Sequence, residues 1–237
     1  HTGKNISLVE MKGHMLSIQL DKKAASAYEE GFKKHGVNQY YEKGIKELIV
    51  NENGEIIEII LTSGEVIPCD LLIVAAGVRS NVAFLEGSGV EVDRFGLVID
   101  ELGRTNVEDI YGAGDVTGRN PIWPTAAKEG IIAASNMTGV KAEMTDFFAS
   151  KSTMNFLGIP TMSLGINEPE DDSYTVVMEN DDEGNYKKII HKDGKIYGAI
   201  IQGDLSYAGV LTQLIKEKIH VSKVKKPLFE IDYADFF

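Results

Sequence analysis

Residues 105–115, TNVEDIYGAGD, combine residue types that suit the binding of a polyhydroxyl group. Ile110 and Tyr111 have the character of a strand end, three small residues follow, and the stretch ends on a carboxylate. Small residues at a strand end let another group approach the backbone closely. An ionised carboxylate only accepts hydrogen bonds, so Asp115 is suited to bind hydroxyl groups. The alternative is a glycine-rich turn in which Asp115 caps a helix, and the two roles are compatible.

A second acid, Glu10, follows the apolar strand sequence NISLV. In a dinucleotide-binding unit, an acid at the end of the second strand accepts hydrogen bonds from the adenosine ribose. Such an acid usually follows a glycine-rich turn by about 20 residues. That turn is absent from this sequence, so a solvated acid at a strand end is the alternative interpretation of Glu10.

Two segments together resemble the FAD- and NAD-dependent pyridine nucleotide-disulfide oxidoreductases. Residues 105–115 resemble the second flavin-binding sequence of that family, and residues 72–81 (LIVAAGVRSN) resemble the end of its NAD-binding domain. Their order matches as well: an acid-ended strand, a helix, a meander, an apolar strand into A-x-G, and then T-x-x-x-x-I-Y-G-x-G-D. The resemblance extends over residues 1 to about 140, and two such motifs in this order rarely occur by chance.

The resemblance implies that Asp115 binds ribityl hydroxyls of FAD and that residues 112–114 leave room for the flavin chain. Residues 123–126 (WPTA) resemble the rubredoxin reductase and nitrite reductase branch, in which a helix begins beside the pyrimidine edge of the isoalloxazine. A helix N-terminus has unsatisfied N–H donors and about half a positive charge, which would stabilise reduced flavin. The alternative is that the alanines of this helix only allow tight packing. The predicted cofactor-binding residues are Glu10, Gly77, Gly112, Gly114, Asp115, Val116, Thr125 and Ala126.

The predicted fold class is α/β, with a partial Rossmann-like fold for two dinucleotides and a small α+β C-terminal domain. Apolar spacing behind the N-cap candidate Asp21 predicts a helix over residues 21–35, and apolar strand sequences separated by turns predict an antiparallel meander over 37–61. Pro124, which suits the first helical position, predicts a helix over 124–137. Further strands are predicted at 71–76, buried on both faces, and at 97–99, 154–164, 173–179, 186–191 and 195–202, with a last helix over 207–218. The expected domains are an incomplete NAD-binding domain (1–78), the C-terminal part of an FAD-binding domain (79–140) and a rubredoxin reductase-like domain (151–237), with a linker at 141–150.

Composition excludes several classes of partner. The formal net charge of −12 argues against nucleic acid, which requires clustered Lys and Arg. The longest apolar stretch, residues 71–78, is far shorter than the roughly 20 residues that cross a bilayer, so no membrane association is expected. The single cysteine, Cys69, suits a reducing cytoplasm, the expected location, and is interpreted as a small buried apolar residue. The five histidines lack ligand spacing, so no metal site is expected.

The resemblance implies that the parent protein is an FAD-dependent NADH:acceptor oxidoreductase. Hydride would pass from NADH to flavin, and electrons would continue to an iron or small-molecule acceptor, with a small redox protein as one candidate partner. An alternative is an electron-delivering flavoprotein subunit that docks to a larger enzyme. Both glycine-rich pyrophosphate motifs are absent, so the chain is expected to be a C-terminal fragment, inactive alone, that follows about 150 further residues. No catalytic residue is assigned, and homo-oligomerisation is left open.

Overall fold

The computed structural model describes residues 3–144, 151–182, 184–222 and 224–236. Contacts divide the chain into two compact units, one comprising His1–Val74 with Ser150–Phe237 and the other Ala75–Ala149. The helices are α1 (Lys22–Lys34), α2 (Trp123–Met137) and α3 (Ala208–Lys216), with short 3-10 helices at Ala83–Leu85, Gly114–Thr117 and Tyr233–Phe236. The strands are β1 (Ile6–Val9), β2 (Val37–Tyr40), β3 (Ile45–Val50), β4 (Ile56–Leu61), β5 (Val66–Pro68), β6 (Lys151–Phe156), β7 (Ile159–Gly165), β8 (Thr175–Asn180), β9 (Tyr186–Lys192) and β10 (Lys195–Gln202).

The first unit begins with a β-α-β arrangement. Strands β1 and β2 pair in parallel, and α1 connects them. Asp21 is the N-cap of α1, because its carboxylate accepts a hydrogen bond from the Ala24 amide at 2.9 Å. The apolar positions Ala24, Ala25 and Tyr28 lie on one helix face and are buried. The antiparallel meander predicted over 37–61 is only partly correct: β3 and β4 pair as predicted, but β2 pairs in parallel with β1, and β5 is the third strand of the meander.

A five-stranded antiparallel sheet completes the first unit, in the order β6-β7-β10-β9-β8. The prediction of one strand over residues 154–164 is wrong, because β6 and β7 are two strands of a hairpin in which Phe156 lies opposite Ile159. The two residues between them, Leu157 and Gly158, both have positive φ, as a tight two-residue hairpin turn requires. Leu157 is an unusual residue at such a position, so the turn escaped recognition.

Two further strand predictions are wrong. Residues 71–76 form no strand, and Leu71, Ile73 and Val74 are 75–79% exposed. Among the described residues no strand pairs with this run, and apolar sequence without a hydrogen-bonded neighbour does not make a buried strand. Residues 97–99 also form no strand, since only an isolated bridge joins Leu97 to Val92.

The second unit is built around α2. The helix begins at Trp123, one residue before the predicted first position at Pro124, and it buries Ile132 and Ala133. Of the predicted linker at 141–150, residues 145–150 lie outside the described residues. In the ranges that the structure describes, none of the helices combines the length and apolar character needed to cross a bilayer.

Candidate functional site

The glycine-rich motif folds into a tight 3-10 turn over Gly114–Thr117. Thr105, the first residue of the motif, closes the preceding loop by donating its hydroxyl toward the Ile110 carbonyl at 3.0 Å. Gly114 has φ of +87°, and a Cβ placed there would lie 3.4 Å from the Cβ of Ala126 on α2. A positive φ strains residues with side chains, so glycine is required at this position whether or not a ligand binds.

Gly112 has a different reason to be glycine. A Cβ at this position would lie 2.3 Å from Cδ2 of Leu97 and 3.0 Å from Cγ2 of Ile99. These two buried side chains therefore fill the space beside the glycine. Packing within the protein accounts for Gly112, and its predicted contact with a flavin stays a prediction.

A buried carboxylate that the sequence analysis missed holds this turn in place. Glu129 of α2 is 2% exposed, and its Oε2 accepts hydrogen bonds from the Gly114 amide at 2.7 Å and the Thr117 hydroxyl at 3.2 Å. The signal in the sequence was the helical register, since Glu129 shares a face with Ile132 and Ala133. A charged residue on the buried face of a helix requires a polar partner.

Asp115 does not cap a helix. The turn has Ala113 as its N-cap, α2 has Ile122, and neither cap residue makes a side-chain hydrogen bond. The alternative of a structural cap is therefore wrong. Asp115 is exposed, and its backbone carbonyl accepts a hydrogen bond from the Ser80 hydroxyl at 2.7 Å. The backbone is thus anchored independently of the carboxylate.

Asp115 and Val116 line a cavity of about 380 Å³. The other residues of its wall are Val78, Arg79, Ser80, Asn81, Phe84 and Pro121. Ligand pockets commonly measure about 300–1,000 Å³ and combine apolar walls with a few polar groups. This cavity has that composition, because a carboxylate, a guanidinium and an amide stand among apolar side chains. Gly77, with φ of +85°, directly precedes the cavity residues along the chain.

The start of α2 lies against the glycine-rich turn. Ala126 approaches Gly114, and the Thr125 hydroxyl accepts a hydrogen bond from the Asn120 side-chain amide at 3.0 Å. The structure therefore brings Gly112, Gly114, Asp115, Thr125 and Ala126 together in the second unit. The small side chain of Ala126 is what permits the close contact of helix and turn.

Glu10 lies in the first unit, directly after β1. Its Oε1 accepts a hydrogen bond from the Lys12 amide at 2.8 Å, which fixes the direction of the carboxylate. Burial raises the pKa of the nearby Tyr41, and the negative charges of Glu29 and Glu10 raise it further. Glu10 is therefore an oriented acid at a strand end beside a neutral phenol.

The chain belongs to the pyridine nucleotide-disulphide oxidoreductase family, whose model matches residues 1–130. A second family model, the rubredoxin NAD+ reductase C-terminal domain, matches residues 151–219. These matches confirm the predicted family and fold class. Members of the family bind FAD and NAD(P)H, which confirms the predicted cofactors at the level of the family.

Relatives of the chain include the nitrite reductase [NAD(P)H] of Bacillus subtilis (strain 168), 25% identical over 233 residues, and subunit epsilon of the NADH-dependent phenylglyoxylate dehydrogenase of Aromatoleum evansii, 26% identical over 235 residues. Each alignment covers 94% of this chain, but only 28% and 55% of the respective relative. The NAD-dependent persulfide reductase from A. fulgidus has a similar fold, with a TM-score of 0.79 at 22% identity over 98% of this chain and 48% of that one.

Proposed function

We propose that the chain is part of a longer FAD-dependent NADH:acceptor oxidoreductase that passes hydride from NADH to flavin and electrons to an iron or small-molecule acceptor. The observation that carries the proposal is the exposed Asp115 carboxylate at the wall of a 380 Å³ cavity, on a turn held by Glu129. A bound flavin would supply the redox chemistry, and the protein would supply orientation and electrostatics. The chain spans 28% and 55% of the two relatives described above, which fits a part of a longer enzyme.

The residues in this cavity fit a ribityl chain. The Asp115 carboxylate would accept hydrogen bonds from its hydroxyls, and Arg79 and Asn81 would supply donors. The amides at the start of α2, around Thr125 and Ala126, would face the pyrimidine edge of the isoalloxazine. In the first unit, Glu10 would accept hydrogen bonds from the adenosine ribose of NADH.

A second candidate function is electron delivery to a larger enzyme. It is supported by a relative named as the assimilatory nitrate reductase electron transfer subunit of Bacillus subtilis (strain 168), 25% identical over 235 residues, or 97% of this chain and 30% of the relative. Steady-state NADH oxidation with soluble acceptors, together with affinity capture from the source cell, separates the two functions. Turnover without a captured partner favours the first, and a captured redox enzyme that is needed for turnover favours the second.

In both cases we place the protein in the cytoplasm, consistent with its single cysteine.

The 237-residue chain is expected to be colourless after purification and inactive with NADH. The physical reason is that its sequence contains no G-x-G-x-x-G turn, the element that places the pyrophosphate of each nucleotide at a helix N-terminus. The measurement is a visible absorption spectrum after dialysis, with the longer parent protein as the positive control. Stoichiometric flavin on the 237-residue chain would contradict the expectation, and a parent without flavin would contradict the proposed function.

Glu10 is expected to make the parent protein prefer NADH over NADPH by about tenfold or more in kcat/KM. A carboxylate at this strand end accepts hydrogen bonds from the ribose hydroxyls but repels the extra phosphate of NADP. Glu10→Ala should remove most of the preference, whereas Glu47→Ala, at an exposed position of β3, should leave it unchanged. A wild-type preference for NADPH would show that Glu10 is only a solvated acid. So would a ratio of kcat/KM for NADH and NADPH that Glu10→Ala does not alter.

A further inference from the structure

A buried ion pair joins the N-cap residue of α1 to the C-terminal sheet, the five-stranded sheet of β6–β10. Nζ of Lys188, on β9, lies 3.0 Å from Oδ2 of Asp21, and the two side chains are only 4% and 7% exposed. The Tyr186 hydroxyl donates to the same Asp21 oxygen at 2.5 Å. These partners are separated by more than 160 positions in the sequence, so the contact exists only in the folded unit.

The Asp21 carboxylate is charged in this environment. Burial alone would raise its pKa, but the Ala24 amide, the Tyr186 hydroxyl and the Lys188 ammonium hold the pKa of Asp21 below its ordinary value. Burial and the Asp21 charge raise the pKa of Tyr186, which therefore stays a hydrogen-bond donor. Lys188 also donates to the Asn167 carbonyl at 2.8 Å and to the Glu168 carboxylate at 3.1 Å. A buried ion pair of this kind adds little to the free energy of unfolding, but it fixes the position of Asp21 relative to β9.

The side chain of Asn167 continues the same network to the loop before α1. Its Nδ2 lies 3.0–3.2 Å from the backbone carbonyl oxygens of Ser17, Ile18 and Leu20. These carbonyls belong to residues 11–20, the segment that joins Glu10 to α1. At the other end of the segment, the Lys12 amide orients the Glu10 carboxylate. Both ends of the segment are therefore fixed by hydrogen bonds, and those near α1 come from the loop that joins β7 to β8.

Other contacts keep α1 on the sheet independently of this pair. The Tyr28 hydroxyl donates toward the Ile159 carbonyl at 2.7 Å and the Thr161 hydroxyl at 2.6 Å. The Gln202 side-chain amide donates to the Ala24 carbonyl at 3.1 Å. Ala24 and Tyr28 thus hold α1 on the sheet, while Lys188 and Asn167 act on the N-cap of the helix and on the preceding loop.

We propose that Lys188 on β9 and Asn167 in the β7–β8 loop are positioning residues through which the C-terminal sheet and this loop set the geometry of residues 11–20 and so of the Glu10 carboxylate. The functional part rests on the proposed role of Glu10 in binding the ribose of NADH. In this proposal the C-terminal sheet influences the binding of NADH, and its role is not confined to the electron acceptor.

Hydrogen exchange of the 237-residue chain tests the structural step. In the loop, the Lys12 and Met15 amides donate to the Glu10 and Glu29 carboxylates, and the Gln19 and Leu20 amides donate to the Leu16 carbonyl. Asn167→Ala should accelerate exchange of these four amides by about tenfold, the scale of one hydrogen bond. Amides of α3 should keep their rates. Asn155→Ala, at an exposed position of β6, is the matched control and should change nothing in the loop. A uniform acceleration over the whole unit, or none in the loop, would overturn the positioning role.

The ion pair is tested with a double variant, since Lys188→Met alone leaves a buried carboxylate and can prevent folding. The double variant Asp21→Asn with Lys188→Met removes both charges at similar volume. It should fold and still show accelerated exchange at the Gln19 and Leu20 amides. Wild-type protection of these amides in the double variant would overturn the role of the pair.

Kinetics of the longer parent test the functional step. Asn167→Ala should raise KM for NADH about tenfold with little change in kcat, because a displaced loop weakens nucleotide binding without touching the flavin. An unchanged KM together with accelerated loop exchange would overturn the link to the nucleotide. If instead Glu10→Ala leaves the nucleotide preference unaltered, the proposed role of Glu10 fails while the exchange result still decides the loop geometry.

Discussion

Replacing Glu129 by alanine is expected to lower the free energy of unfolding of the second unit by about 2–4 kcal/mol. The substitution leaves the Gly114 amide without its buried acceptor, whereas the Thr117 hydroxyl keeps the Gly114 carbonyl at 2.9 Å. It also opens a cavity beneath the turn, because Glu129 is only 2% exposed. Native-state hydrogen exchange of the α2 amides measures the change in this unit, because the Trp123 side chain is 83% exposed and its fluorescence changes little on unfolding.

Two variants make the Glu129 result specific. Glu129→Gln keeps an acceptor oxygen at the same distance from the helix. It should lower the free energy of unfolding by less than half as much as Glu129→Ala does. Glu101→Ala removes an exposed carboxylate of the same unit and should change stability by less than about 0.5 kcal/mol. A loss below about 1 kcal/mol for Glu129→Ala would mean that the turn holds its shape without this carboxylate.

Local sequence signals predicted the elements that have their own start and stop residues. Helix α1 was predicted because Asp21 precedes regularly spaced apolar positions, and the structure shows that capping bond. Helix α2 was predicted from Pro124 in its first turn. The glycine-rich motif is a place of close approach within the protein, since Gly114 contacts Ala126, and the predicted approach of a flavin stays a prediction.

Features that depend on distant residues could not be predicted. Gly112 is explained by Leu97 and Ile99, which lie more than ten positions upstream and were taken for a strand. The exposed run at 71–76 has the composition of a buried strand, but a strand needs a paired neighbour, which composition does not report. The Asp21–Lys188 pair spans most of the chain, and neither residue type signals a buried position.

Asp115→Ala is expected to weaken flavin retention by the longer parent protein by about 1.5–3 kcal/mol, or roughly 10- to 150-fold in Kd. Folding should change by less than about 0.5 kcal/mol, because Asp115 is exposed and only its backbone carbonyl is bonded to Ser80. The variant is therefore expected to lose flavin affinity while it keeps its free energy of unfolding. The measurement is flavin affinity by fluorescence titration, beside a thermal unfolding curve of the same variant.

The comparison variants for Asp115 follow from its chemistry. Asp115→Asn keeps an acceptor oxygen but loses the charge, so it should weaken flavin binding by an intermediate amount. Glu108→Ala removes an exposed acid seven positions earlier in the same motif and should leave flavin affinity unchanged. If Asp115→Ala binds flavin as tightly as the wild type does, the carboxylate does not contact the ribityl chain, and the cavity it lines serves another ligand.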